Sequence, residues 1–175
     1  MPDRKITIIA PTIQRVIAGT CTTLRRLPRT LSDCRPGDRL WIREQFRLPI
    51  GFDDISPLQA LERHAVPVMS ADIEDLPSYA TADLGRPRFA REMPRAWHRA
   101  HLVIDRIETA RLHDLTDEQA QREGFANTAQ FARSWDAGQR LSKGLTLWQH
   151  NPTVLVITFH CICAPLGAQH ERTAA

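Results

Sequence analysis

AGTCTTLRR, residues 18–26, is the stretch from which the rest of the chain can be laid out. Ahead of it, after Pro11, the apolar residues Ile13, Val16 and Ile17 fall at helical spacing. Glycine most readily takes the left-handed conformation that closes a helix, so a short helix is predicted over about 11–18, stopped by Gly19. Residues 20–27 are rich in threonine and then basic, which reads as a strand leaving that glycine. Next comes CRPGDRLWIREQF, residues 34–46, where Pro36, Gly37 and Asp38 make a turn. Leu40 and Ile42 then alternate with Arg39, Trp41 and Arg43, predicting a second strand with one apolar and one mixed face.

Farther out the signals are uneven. From Leu48 to Met93 the periodicity fades and prolines recur at 49, 57, 67, 77, 87 and 94. This reads as an irregular insertion over about 49–92 with one short helix near Leu58–His64. His101–Leu112 reads as a strand. Thr116 followed by Gln119 is a capping box, a hydroxyl at the helix N-cap with an amide three residues on, so a helix should fill 117–123 and end at Gly124. A further helix from about Thr128 to Ala137 should bury Phe131 and Trp135 and stop at Gly138. TVLVITFHC, residues 153–161, is the strongest strand signal of all. Strands are not regularly interleaved with helices, so the expected class is α+β, as a single domain over 1–165 with a flexible C-terminal tail from 166 to 175.

The chain has 175 residues, 42% of them hydrophobic, enough for a core without disulfides or metal. Cys21, Cys34, Cys161 and Cys163 form no regular framework, no apolar run reaches membrane-spanning length, and no secretory leader is apparent. A cytoplasmic protein without membrane attachment is expected. The net charge of +3 is unevenly distributed: residues 1–50 carry ten Lys or Arg against four acids, and the remainder thirteen against sixteen. Arginine outnumbers lysine 21 to 2, and its planar fork suits bidentate contact with phosphate. GRPRFAREMPRAWHR, residues 85–99, sets Arg86, Arg88, Arg91, Arg95 and Arg99 among Phe89 and Trp97 with Glu92 as the one acid. Arginines beside rings can hold a nucleic-acid backbone and stack on bases.

No dinucleotide, nucleotide-triphosphate or hydrolase-elbow glycine motif occurs. Cys161 and Cys163 lie on one side of a predicted strand but lack a second ligand pair at zinc spacing, so neither metal nor cofactor is expected. Two carboxylates have positions of interest: Glu44, beside Arg43 and close to Trp41, and Glu123, at the end of the capped helix.

Four segments taken together, IQRVIAGTCTTLRR (13–26), CRPGDRLWIRE (34–44), HLVIDRIETARLHDLTDEQAQREGF (101–125) and NPTVLVITF (151–159), resemble ASCH domains of the PUA-like superfamily. With Met93-Pro94-Arg95 they look like the longer form found in phages and prophages. The resemblance implies a small, partly open β-barrel with flanking helices, a long insertion, and a cleft at the glycine joint. It also implies binding of RNA, another nucleic acid or a modified nucleoside across an arginine-lined cleft. Thr22, Thr23, Arg25, Arg26, Trp41, Arg43, Glu44, Arg88, Arg95 and Trp97 would be the binding residues. Some ASCH members are amidohydrolases that deacylate N4-acetylcytidine, and one type is linked to RNA cleavage. Glu123 matches the glutamate of the amidohydrolase pattern, whereas Cys21 stands where that pattern has lysine and Leu24 where it has threonine. A thiolate at Cys21, with Arg25 or Arg26 lowering its pKa and Glu123 as acid or base, is the hydrolytic alternative. A phage accessory or morphogenetic protein acting through protein contacts is a third.

Overall fold

The computed structural model describes residues 4–28, 31–139 and 145–166; apart from Leu166, the expected C-terminal tail lies outside them. The chain folds as mixed α and β. Strands β1 (Arg4–Thr7), β2 (Thr23–Arg26), β3 (Arg39–Arg43), β6 (His101–Arg111) and β7 (Thr153–Ile162) form one sheet, in the order β1-β3-β6-β7-β2. A two-stranded pair, β4 (Phe46–Arg47) and β5 (Val68–Met69), stands apart from it. The large sheet is mixed, β1 running parallel to β3 and β2 antiparallel to β7. Among the described residues β1 and β2 are its two edges, and it is not a closed barrel.

The chain divides into two compact units. Of the described residues, the first comprises 4–17, 39–102 and 162–166. In it, helix α1 (Thr12–Ile17) buries Ile13 and Val16 completely, as the helical spacing predicts; Gly19 follows at φ +71°. On β3 the expected alternation is incomplete, because Leu40, Trp41 and Ile42 are all buried. Its middle is covered on both faces, which an alternating sequence does not announce.

The stretch read as an irregular insertion is ordered. Helix α2 (Pro57–Glu62) starts at Ser56 with a complete capping box and ends with His64 in the left-handed conformation, φ +60°. A six-residue helical stretch (Ser70–Asp75), helix α3 (Ser78–Thr81) and two three-residue helical turns follow. Phe46, Leu48, Ala60, Ala65, Met69, Met93 and Trp97 come together as a core, with Phe52, Ile55 and Leu61 against it. These residues arrive singly from short pieces, so no element is long enough to carry a period.

Of the described residues, the second unit comprises 18–28, 31–38, 103–139 and 145–161. Helix α4 (Asp117–Arg122) begins at Thr116 with the predicted reciprocal cap, and Asp117 accepts from both the N–H and the hydroxyl of Thr128 at the start of α5 (Thr128–Gln139). Those two bonds hold the Asp117 carboxyl below its ordinary range. At the far end of α4, Gly124 has φ +85°, its N–H donates to Gln121 and the N–H of Phe125 donates to Ala120. This paired closure fixes Glu123 as the C-cap of the helix. Helix α5 runs through Gly138 instead of stopping there; a Cβ at that glycine would meet nothing within 4 Å. Phe131 and Trp135 are buried on it, as expected, among Leu112, Leu115, Ala120 and Val154.

Candidate functional site

In the second unit, β2 and the end of α4 bring a carboxylate onto two arginines. Glu123 is 1% exposed and Arg25 3%. The Arg25 backbone N–H donates to Glu123 Oε2 at 3.1 Å, and its guanidinium Nη1 donates to Oε1. Arg25 Nη2 reaches Gln119 Oε1 at 2.9 Å, the same oxygen that accepts from the Thr116 N–H in the cap of α4. Arg25 Nε is buried and has no partner among the described residues. Burial raises the Glu123 carboxyl from its ordinary 4.5 to about 7, against the opposing pull of Arg25 and, more weakly, of Arg26. Arg26 is lowered by burial, with Glu123 and Cys21 acting the other way. Cys21, Arg25, Arg26 and Glu123 therefore form one electrostatic set. Cys21 is itself buried, with its thiol toward the Thr23 carbonyl at 3.5 Å. Thr22 is exposed and its carbonyl accepts from the Phe159 N–H, while Thr23 faces Thr158 across the β2–β7 ladder.

The other predicted residues belong to the first unit. Glu44, 1% exposed, accepts from Arg99 Nε at 2.9 Å and from Nη2 at 2.8 Å. The same guanidinium donates to Asp72, from Nη1 at 2.5 Å and from Nη2 at 3.1 Å. Hydrogen bonds to Glu44 raise the Arg99 pKa above its ordinary value despite partial burial. Arg43 is half-buried; it donates to Thr7 Oγ1 and the Arg91 carbonyl, and burial lowers its pKa. Trp41 lies 5.8 Å from the His98 ring, and Trp97 meets Phe46 edge-on at 5.4 Å. Both tryptophans are buried. Arg88 is buried too: its Nη2 serves the carbonyls of Phe52, Asp53 and Ile55 at 2.9–3.1 Å. Arg88 thus sits inside the packed unit with its guanidinium committed to backbone carbonyls, and Trp97 presents no face to a nucleic-acid base on the exposed surface of the segment.

What this segment does present is different. Arg86, Arg91 and Arg95 are exposed, as is Phe89 at 57%. The Arg91 guanidinium lies over the Phe89 ring, 4.4 Å from its centroid. Glu92, the one acid here, turns its carboxylate to the Phe89 backbone N–H at 2.9 Å. The segment starts from a tight junction: Asp53 accepts from the Arg86 N–H at 3.0 Å and lies where a Cβ on Gly85 would be, 2.2 Å from that position.

No family model, curated protein or solved structure matches the chain. Among the described residues no group of three His, Cys, Asp or Glu side chains could hold a metal ion, and no helix is long and apolar enough to cross a membrane. Sequence reading missed Asp72 and Gln119. Nothing in the local pattern marks Asp72, which meets Arg99 only through the fold. Gln119 was visible as a cap residue, and its second role depends on β2 lying alongside.

Proposed function

We propose that the protein is a nucleic-acid-binding domain of the ASCH, PUA-like type, holding single-stranded RNA on the segment from Arg86 to Arg95. One observation carries this reading: three exposed arginines flank an exposed ring already stacked by one of them, while the neighbouring acid is turned to the backbone. Phosphates would be met by the guanidinium groups and a base by the Phe89 face. The resemblance to ASCH domains supports it from the other unit, since Glu123 reaches the strand that follows Gly19. Hydrolysis of an acylated cytidine is less well supported. Cys21 is buried, and both Glu123 oxygens accept from Arg25.

The test is fluorescence anisotropy with a labelled single-stranded oligoribonucleotide across a salt series. Affinity should fall steeply with salt, and the triple change Arg86→Gln, Arg91→Gln, Arg95→Gln should reduce the slope of log K against log salt by about 2, at ~0.7 per phosphate. Phe89→Ala should cost about 1–3 kcal/mol. Arg106→Gln with Arg133→Gln, exposed arginines of the other unit, should change little. Affinity independent of salt, or equal losses in the two arginine sets, would reject the assignment.

A further inference from the structure

A second feature of the first unit is independent of the nucleic-acid reading. Val66, Val68, Met69, Leu76 and Trp97 wall a pocket of about 440 Å³, with Asp72 and Arg99 at its polar end. That volume lies in the range of small-molecule sites, which are apolar with a few convergent polar groups. An arginine in such a place ordinarily invites an anion. Here it does not, because four of its five N–H bonds already go to Glu44 and Asp72. Two carboxylates face one guanidinium, so the cluster carries a net negative charge. Glu44 is buried, whereas the Asp72 side chain is 43% exposed and is the acceptor a ligand can reach. The surrounding chain adds to this field: residues 65–85 contain Asp72, Glu74, Asp75 and Asp83 and no lysine or arginine.

We infer that this pocket binds a small amphipathic cation, an aryl- or alkylammonium whose apolar body lies against Trp97 and Leu76 and whose ammonium donates to Asp72. A carboxylate ligand of the same shape is repelled, since it would meet Asp72 before any unoccupied donor of Arg99. A neutral alcohol keeps the apolar contact but loses the charge-assisted bond.

The experiment follows backbone and indole N–H signals of the full chain by NMR during titration with phenethylammonium chloride, sodium phenylacetate and phenethyl alcohol. Phenethylammonium should shift the signals of residues 66–76 and the Trp97 indole with a Kd on the order of 1 mM. Phenylacetate should bind about tenfold more weakly or worse. Asp72→Asn, which leaves the Glu44–Arg99 contacts in place, should bring phenethylammonium down to the level of the alcohol. Val66→Lys, at an exposed rim position, should weaken phenethylammonium binding by setting a tethered ammonium beside Asp72. The inference is overturned by phenylacetate binding as tightly as the ammonium. It is equally overturned by shifts confined to other residues, by no shifts at all, or by a cation preference that survives Asp72→Asn.

Discussion

Glu123→Gln should alter stability by an amount that changes with pH by roughly 3 kcal/mol, in the direction opposite to that of a stabilising ion pair. The folded carboxyl titrates near 7 and the unfolded one near 4.5, and each pKa unit corresponds to about 1.4 kcal/mol. Between those values the folded state keeps a proton that the unfolded state has lost. The contribution of this group is therefore complete below about pH 4.5 and is lost as the pH climbs through 7. Glutamine resembles the protonated acid and does not titrate, so wild type loses ground to the variant over that interval. Arg25→Met should do the reverse. Without the guanidinium the folded carboxyl rises further, and the deficit of this variant grows by about 1.4 kcal/mol for each pH unit above 7. Urea denaturation followed by tryptophan fluorescence, with Trp135 and Trp148 reporting from the same unit, gives both differences from pH 4.5 to 8. The competing effect is attraction between the Arg25 guanidinium and the Glu123 carboxylate. If it outweighs desolvation, Glu123→Gln will cost about 3–5 kcal/mol at neutral pH and less in acid. That result would refute the reasoning.

Three further substitutions probe the packing beneath the candidate sites. Arg88→Met leaves the carbonyls of Phe52, Asp53 and Ile55 without their shared donor and should destabilise by about 3 kcal/mol in urea denaturation. Gly85→Ala must displace the Asp53 carboxylate from the Arg86 N–H; a loss of about 1–2 kcal/mol, with weaker RNA binding, is expected. His64→Gly should stabilise by about 0.5–1 kcal/mol, because the residue after the α2 cap sits at φ +60°, where a side chain is strained. The midpoint of thermal unfolding measures it.

Local rules made the second unit the more legible one. The Thr116 cap, Gly124 and TVLVITFHC each depend on neighbours within a few residues, and each element formed where expected. Gly138 misled because a glycine ends a helix only where the backbone turns left-handed, and here α5 continues to Gln139. The core around Phe46 and Trp97 was illegible for another reason: its members come from pieces as short as β4 and β5, too brief for a period to show. Composition marked the arginine-rich segment but could not sort its members. Arg88 and Arg91 stand three positions apart; one is buried under three carbonyls and the other stacks on an exposed ring. Glu44 and Glu123 were singled out for their positions, but their burial depends on partners supplied by distant parts of the chain.

The distance between Arg25 and Glu123 also bears on how the protein is made. They are separated by 98 positions, which at roughly 5–20 residues per second is on the order of 5–20 s of translation. Until then the guanidinium has no carboxylate to accompany it out of water, and β7, the neighbour of β2, is still later. β2 emerges from the ribosome as an unpaired strand that its own arginines keep hydrated. Its charge acts as a guard against premature pairing with other chains, and the docking of Glu123 removes that guard.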